Sequence, residues 1–318
     1  MNFFCNNYEK HLLKVISCDK ISKIETGENK LPNTAVVTDS TVSLPKRLLE
    51  ELAIHQVAYY IHRGTEVLRD LINVQRDDFL KWLPTAEKLP TTASPGPGDY
   101  LTVYEKLANE GTEEIVSIHM TSKGSGAYQA ARAAKDMLLE KLPQLRIEVI
   151  DTLNVSLCQG WMVIEAARSA LAGMNLARIT KKVKSMIPIS QMIQTADTLR
   201  YLYMGGRIGR AARLVGSMLN LKPLISMQDG EIVVLGVARG LNKAYQKMVE
   251  TIESKVGSMG KIKIAYVHAG AQKEVEILKS MVENRINVVE SLVAELSPAL
   301  MVHTGPGTTG LCYYPLEK

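Results

Sequence analysis

The sequence predicts an α/β protein of two domains, an N-terminal parallel-sheet, Rossmann-like domain and a C-terminal mixed α/β domain. The chain has 318 residues, which is long for one compact domain. From residue 34 onward strands alternate with helical segments, as in βαβ units. After about residue 175 the pattern changes, and Asp229-Gly230 between two apolar runs indicates an antiparallel hairpin. We therefore expect an N-terminal extension at 1–33, with one candidate helix, and domains at 34–174 and 175–318.

The first half contains β-branched and apolar runs that end in small polar residues. Ser43 and Pro45 are helix-start signals after the first run. Further helical segments are expected near 77–83 and 98–109, with a loop at 84–97 between them. The first-half strands are predicted at residues 34–40, 57–62, 113–120 and 146–151.

In the second half, the segments 222–228 and 231–238 flank the hairpin turn. Residues 197–204 favour a short helix, and residues 261–269 favour a strand with helices around it. The second domain is therefore expected to mix parallel and antiparallel pairing.

Composition excludes several classes of protein. Hydrophobic residues are 46% and charged residues 22%, which is ordinary for a globular chain, and a net charge of +5 is modest. The densest basic stretch, 200–213, is glycine-rich and a poor footprint for nucleic acid. No apolar run is long enough to span a bilayer, and the N-terminus lacks signal-peptide order. The four cysteines lie far apart without metal or disulfide spacing, so we expect a cytoplasmic protein with reduced thiols and no bound metal.

Small polar residues follow three of the predicted first-half strands. In an open parallel sheet, ligands bind outside the carboxyl ends of the strands. Each cluster could equally be a helix N-cap, but three on one sheet edge favour a polar rim of a binding site. The rim residues are Asp39, Ser40, Thr121, Ser122, Asp151 and Thr152.

Other segments indicate an anion site. Ser125-Gly126 follows a glycine-containing turn and opens a helix, where free backbone N–H groups and the helix dipole favour an anion. Arg207 and Arg210 stand among glycines, and His303 precedes a Gly-Pro turn. No nucleotide-binding motif is present. The residues alone thus indicate a two-domain α/β protein that binds an anion, without identifying the anion.

Several motifs occur together in one order. They are VVTDST (36–41), PTTASPGP (90–97), TSKGSGAYQAA (121–131), DTLRYLYMGGRIGRAA (197–212) and HTGPGTTG (303–310). In this order, from about residue 34 to the C-terminus, the chain resembles proteins of the DegV family.

The resemblance implies a two-domain protein that encloses a long-chain fatty acid. It implies an acyl tail in an apolar tunnel of the N-terminal domain and a carboxylate near the domain junction. It further implies a lipid-binding subunit of a bacterial fatty-acid kinase, active in phospholipid metabolism. A separate ATP-dependent kinase protein would then make the acyl-phosphate, and this chain would catalyse no reaction itself. It would need no cofactor and would not insert stably into a membrane.

Carried over by motif, four side chains are implied in the carboxylate site, together with Gly126: Thr92, Ser125, Arg207 and His303. Arg239, with Arg210, resembles a basic position used toward the kinase. The loop departs from the common family pattern Thr-Ser-Gln-Pro-Ser, since it reads Thr-Ala-Ser-Pro-Gly at 92–96. This departure changes the polar contacts expected at the tunnel mouth.

Two other functions remain open at this stage. Ser125 as nucleophile, His303 as base and Asp39 or Asp151 as orienting acid would make a hydrolase of acyl esters. A regulatory module that binds another small carboxylate or phosphate is the second.

Overall fold

The computed structural model describes residues 33–214, 221–257 and 259–316. The expected N-terminal extension, residue 33 apart, lies outside these ranges. The strands in chain order are β1 (Thr34–Asp39), β2 (Ile54–Val57), β3 (Tyr60–Arg63), β4 (Glu66–Arg69), β5 (Thr91–Ala93), β6 (Glu114–His119), β7 (Arg146–Asp151), β8 (Gln191–Thr195), β9 (Leu221–Gln228), β10 (Glu231–Arg239), β11 (Lys261–His268), β12 (Asn287–Glu295) and β13 (Thr309–Pro315). The helices are α1 (Lys46–Glu51), α2 (Arg76–Trp82), α3 (Pro97–Asn109), α4 (Ala127–Lys141), α5 (Leu157–Leu171), α6 (Leu176–Met186), α7 (Arg200–Met204), α8 (Leu241–Val256), α9 (Gln272–Glu283) and α10 (Pro298–Thr304).

The first sheet is parallel, with the order β2-β1-β6-β7, as the alternation of strands and helices predicts. Every residue of β1 and β6 is buried. Strands covered on both faces carry such near-continuous apolar runs, because helices from the crossovers pack on each side. Here α3 and α4 form one packed pair, and α5 and α6 form another. The predicted α/β class is confirmed.

The second sheet is mixed, with the order β10-β9-β8-β13-β11-β12. Its only described parallel pair is β11 with β12, and the others are antiparallel. The hairpin predicted at Asp229-Gly230 is confirmed, and both residues have positive φ, 52° and 81°. A two-residue turn with two positive φ angles suits an aspartate–glycine pair and sets the register of β9 against β10.

Residues 57–62 do not form the single strand that the sequence predicts. β2 ends at Val57 in the first sheet, whereas β3 begins at Tyr60 in a small sheet of order β4-β3-β5. The chain crosses between the sheets because Tyr59 donates its backbone N–H to Ser40 Oγ at 3.1 Å and accepts from the N–H of Asp70 at 2.9 Å. β5 also occupies part of the loop expected at 84–97, where it pairs with β3.

Helix α5 lies between the two larger sheets. It contacts β1 and β6 on one side and β13 on the other, and it is buried along nearly its whole length. A helix with apolar side chains on more than one face is stable when both of those faces are covered. Trp161 on this helix donates its indole N–H to the carbonyl of Cys312 on β13 at 3.2 Å. One continuous hydrophobic core therefore joins residues of both sheets.

The domain boundary expected at 174 and 175 stays a prediction. Helix α6, which directly follows that point, packs against β6 and β7 of the first sheet. Among the described residues, no helix has the length and apolar character needed to cross a membrane.

Ion pairs of α5 and α6 with β11 and β12 tie the two halves together. Lys182 and Lys263 each lie 2.7 Å from a carboxylate oxygen of Glu165. Arg168 lies 2.6 Å from Glu290, which Lys263 also contacts at 2.9 Å. Burial alone would raise the pKa of Glu165, but hydrogen bonds from Lys182 and Lys263 outweigh it and lower the pKa from 4.5 to about 2.

We expect Glu165→Gln to lower the free energy of unfolding at neutral pH by on the order of 2–3 kcal/mol, from the size of this pKa shift. A carboxyl whose pKa is lowered by folding stabilises the protein above its ordinary pKa. That contribution is lost as the pH falls from 4.5 toward 2, so the difference between variant and wild type shrinks over this range. Denaturant unfolding at several pH values measures it. Glu51→Gln, which breaks an exposed pair with Arg47, is the matched control and should change little. An equal loss at every pH would contradict the assignment.

Candidate functional site

A cavity of about 560 Å³ lies between the carboxyl ends of the first sheet and strands β8, β9 and β10 of the second. Helices α7 and α10 contribute to its wall. This is the edge of a parallel sheet where ligands bind, and the volume suits one small-molecule ligand. The resemblance implies a tunnel within residues 34–174 and a carboxylate near the domain junction. The cavity draws its lining from both halves of the chain.

The wall of the cavity is mainly apolar. Its apolar side chains come from the ends of β6 and β7, from β8, β9 and β10, and from around α7 and α10: Met120, Val155, Met192, Leu202, Ile225, Met227, Ile232, Leu296, Ala299 and Leu300. Three of these are methionines, whose unbranched and polarisable side chains adapt to flexible apolar ligands. The remaining wall is polar and brings hydroxyl groups together.

Ser125 lines the cavity just before α4. Its Oγ accepts a hydrogen bond from the backbone N–H of Ala127 at 3.1 Å and lies 2.5 Å from the hydroxyl of Tyr59. Gly126 follows as the residue before the helix, and a Cβ there would lie 3.1 Å from Ser94 Oγ. The loop that departs from the family pattern therefore brings its Ser94 hydroxyl against the start of α4.

Thr92 and His303 form the second polar pair. Thr92 Oγ1 lies 2.7 Å from His303 Nε2, and both residues line the cavity. Burial, and then the positive charge of Arg207, lower the pKa of His303 from 6.5 to about 4, so the imidazole is neutral at pH 7. His303 Nδ1 is buried and has no hydrogen-bond partner.

The partners of His303 indicate which nitrogen carries its proton. A buried N–H without an acceptor is rarer in proteins than an under-used acceptor. We therefore assign the proton to Nε2, which donates to Thr92 Oγ1, and the bare lone pair to Nδ1. In this tautomer Thr92 keeps its own hydroxyl proton free to donate into the cavity.

Gly205 allows His303 to lie close to α7. A Cβ at Gly205 would stand 2.4 Å from His303 Nδ1, so any side chain there would displace the imidazole. Arg207 follows, exposed but lining the cavity, and its Nη1 donates to the carbonyl of Gly205 at 2.7 Å. Its charge adds to burial in lowering the pKa of His303, and it partly opposes the burial that raises the pKa of Tyr59. The cavity thus has two hydroxyl-bearing pairs and one guanidinium.

The expected polar rim is only partly in the cavity. Thr121 and Ser122 line it, as does Thr41, which follows Asp39 and Ser40. Thr121 Oγ1 donates to the carbonyl of Gly230 at 2.9 Å, which joins the end of β6 to the β9–β10 turn.

The other four rim residues bond to protein groups and do not line the cavity. Asp39 bonds Thr41 and His119, and Ser40 holds the backbone of Tyr59. Asp151 accepts from the N–H groups of Ser122 at 3.2 Å and Leu153 at 2.9 Å. Thr152 donates to the carbonyl of His119 at 2.8 Å. These side chains fix the loops that carry the lining, as N-cap and turn residues do.

The two arginines expected to face a kinase lie outside the cavity lining. Arg210 Nη2 donates to the carbonyl of Gln228 at 3.2 Å, and its Nε lies 3.4 Å from Glu231, which does line the cavity. Arg239 is exposed at the end of β10, opposite Leu221.

The side chains considered for a hydrolase do not form a relay. Ser125 bonds Tyr59 and His303 bonds Thr92, so the two are not paired with each other. Asp151 is occupied by backbone N–H groups. The geometry therefore does not support Ser125 as an activated nucleophile.

A different serine, histidine and aspartate do line up beneath the cavity. Ser117 Oγ lies 2.7 Å from His119 Nε2, and His119 Nδ1 lies 3.1 Å from Asp39 Oδ2. All three are fully buried, none lines the cavity, and Tyr104 donates to Ser117 at 2.7 Å. A nucleophile needs a reachable substrate, so this set is a structural network that supports Thr41. Within the described ranges, no group of three or more His, Cys, Asp or Glu residues could hold a metal ion.

Sequence reasoning missed Tyr59 as a site residue. It stands inside residues 57–62, which the sequence predicts as one strand, where alternation would direct every second side chain into the core. The methionines of the lining were likewise indistinguishable from core residues. Only the break between β2 and β3, which depends on contacts with distant residues, brings Tyr59 to Ser125.

The fold and the site define an α/β protein with a parallel sheet, a mixed sheet and, between them, a mainly apolar cavity with hydrogen-bond donors in its wall. A family described as "Uncharacterised protein, DegV family" matches residues 33–316. The chain belongs to the DegV family, as its motifs predict.

Relatives and solved structures agree with this assignment. A DegV domain-containing protein of Clostridium perfringens is 31% identical over 278 residues, which is 87% of this chain and 97% of the relative. One of Halalkalibacterium halodurans is 32% identical over 286 residues, 89% and 99% of the two chains. A structure described as fatty acid binding of a DegV family protein from Thermus thermophilus has a TM-score of 0.83 at 30% identity, covering 89% of this chain and 99% of that one. DegV of Bacillus subtilis, described as a fatty acid binding protein, has a TM-score of 0.79 at 26% identity, covering 89% and 99%.

We expect His303 to stay neutral down to about pH 4, and Gly205→Ala to raise its pKa toward 6.5. The added methyl group would push the imidazole out of its buried position, which removes the burial that lowers the pKa. NMR titration of the histidine ring signals measures both pKas, with His303→Gln to identify the resonance. Gly98→Ala, where a Cβ meets no atom within 4 Å, is the control. A wild-type midpoint near 6.5 would contradict the described environment.

Proposed function

We propose that this protein binds a long-chain fatty acid, with the carboxylate at Thr92, Ser125 and Arg207 and the acyl tail along the apolar wall. The observation that carries the proposal is one cavity with a mainly apolar lining that also brings together the hydroxyls of Thr92 and Ser125 and the guanidinium of Arg207. A fatty acid has the same division of polarity. Membership of the DegV family, with fatty-acid-binding structures among the similar ones, supports it.

The tail supplies most of the binding free energy. Burial of one methylene is worth about 0.8 kcal/mol, so about 15 of them offer on the order of 10 kcal/mol before ordering costs. The cavity is large enough for one ligand of this size. We therefore expect the acid to remain bound through purification.

The head group fixes the orientation of the ligand. A carboxylate removed from water must be paired or hydrogen-bonded. Thr92 and Ser125 offer hydroxyl protons, and Arg207 offers a charge at the exposed side of the cavity. Neutral His303 contributes through Thr92 and adds no charge of its own.

The finer part of the proposal is that the carboxylate is presented to a separate ATP-dependent fatty-acid kinase in the cytoplasm. A carboxylate oxygen would attack the terminal phosphoryl group of ATP, giving an acyl-phosphate and releasing ADP. Arg207 is an exposed charged group in the cavity lining, and Arg210 pairs with Glu231, another lining residue. This position supports roles for Arg207 and Arg210 toward the kinase. Arg239 is exposed on the same strand as Glu231, at its other end.

Mass spectrometry of ligand extracted from the purified, denatured protein tests the binding role. We expect a long-chain fatty acid at close to one per chain, since the tail alone provides slow release. A protein that is empty and also takes up no added fatty acid would contradict the proposal. A non-lipid carboxylate or phosphate in the extract would point to a regulatory anion-binding module.

We expect Thr92→Ala and Ser125→Ala to weaken fatty-acid binding about tenfold to a hundredfold, because each removes a hydrogen bond to a charged group. Arg207→Ala and His303→Ala should lower the rate of phosphorylation in a reconstituted assay with the kinase. Thr102→Ala, which removes an exposed hydroxyl bonded only to Gly98, is the control. If all four variants matched the wild type, the head-group assignment would be wrong.

A further inference from the structure

Tyr59 occupies a fixed position in the wall of the cavity. Its side chain is only 4% exposed. Its backbone is held on both sides, by Ser40 Oγ at its N–H and by the N–H of Asp70 at its carbonyl. The phenol therefore meets Ser125 from a strand connection whose backbone is hydrogen-bonded on both sides.

The hydrogen bonds of Ser125 can be counted completely. A serine hydroxyl has one proton and two lone pairs. The backbone N–H of Ala127 uses one lone pair at 3.1 Å. The contact of 2.5 Å with Tyr59 uses either the second lone pair or the proton.

Chemistry decides between these two arrangements. A phenol is a stronger acid than an alkyl hydroxyl, so Tyr59 donates and Ser125 accepts. Burial, and then the nearby Asp39, raise the pKa of Tyr59 well above its ordinary value, so its proton is present at any physiological pH. Both lone pairs of Ser125 are then filled, and its own proton is left to point into the cavity.

We propose that Tyr59 is a positioning residue for the carboxylate, which commits Ser125 to act as a hydrogen-bond donor. The Tyr59 hydroxyl donates a hydrogen bond to the Ser125 hydroxyl, which in turn donates to the carboxylate. Each of these hydrogen bonds polarises the next. This role rests on the proposed function, since it concerns the same head-group site. It makes the site selective for an ionised acid over a neutral ester with the same tail.

Tyr59→Phe tests the role, with palmitic acid and methyl palmitate as the two probes. We expect the dissociation constant of the acid to rise about fivefold, the loss of one modest hydrogen bond. The dissociation constant of the ester should change less than about twofold, because a neutral carbonyl gains little from a polarised donor. Tyr60→Phe is the matched control: its hydroxyl bonds Asp99 at 2.7 Å, and Tyr60 does not line the cavity.

A double variant shows whether Tyr59 acts through Ser125. In a Ser125→Ala background, Tyr59→Phe should weaken acid binding no further, because the hydrogen bonds from Tyr59 through Ser125 to the carboxylate are already lost. A fivefold loss that persists in that background would overturn the role. So would an unchanged acid constant in Tyr59→Phe, or equal losses for acid and ester, which indicate distorted packing alone. A wild-type protein that binds neither probe would overturn the proposed function and this role with it.

Discussion

The burial of helix α5 between the two sheets is the constraint on which the site depends. This helix contacts β1 and β6 on one side and β13 on the other, so it fixes how the carboxyl ends of the parallel strands face the second sheet. The residues before it, Val155 and Ser156, line the cavity. Because the helix is buried along nearly its whole length, it depends on packing against both sheets. The same packing that completes the core therefore creates the cavity.

The polar end of the cavity offers the ligand neutral hydrogen-bond donors more than charged groups. His303 is kept neutral by burial and by Arg207, and its partner Thr92 retains a proton for the ligand. Ser125 likewise accepts a hydrogen bond from its partner, Tyr59, and keeps its own hydroxyl proton for the ligand. Such a site favours a ligand that only accepts hydrogen bonds. A guanidinium at the exposed side adds attraction for a negative charge without enclosing it.

Much of this architecture could be predicted from local patterns. The parallel first sheet, the turn at Asp229-Gly230 and the start of α4 after Ser125 follow from apolar runs, turn residues and helix signals. The motifs predicted the family, and the structure places Thr92, Ser125, Arg207 and His303 in one cavity.

The features that local patterns do not predict depend on contacts between residues that are distant in the sequence. β8, β12 and β13 mix polar with apolar residues, and their strand character comes from their neighbours in the mixed sheet. Asp151 was expected at the cavity, but the nearby backbone N–H groups are stronger partners for its carboxylate than an open site. Tyr59 reaches the cavity only because Ser40 and Asp70 hold the crossing between two sheets.

The most direct test of the account is carbon-13 NMR of carboxyl-labelled palmitic acid bound to the delipidated protein. The account predicts one bound carboxyl signal at the position of an ionised carboxylate. That signal should stay there as the pH is lowered from neutral to about 5, because donors that bind the charged form lower its pKa. The absence of a bound signal, or a bound acid that is protonated at neutral pH, would contradict the account.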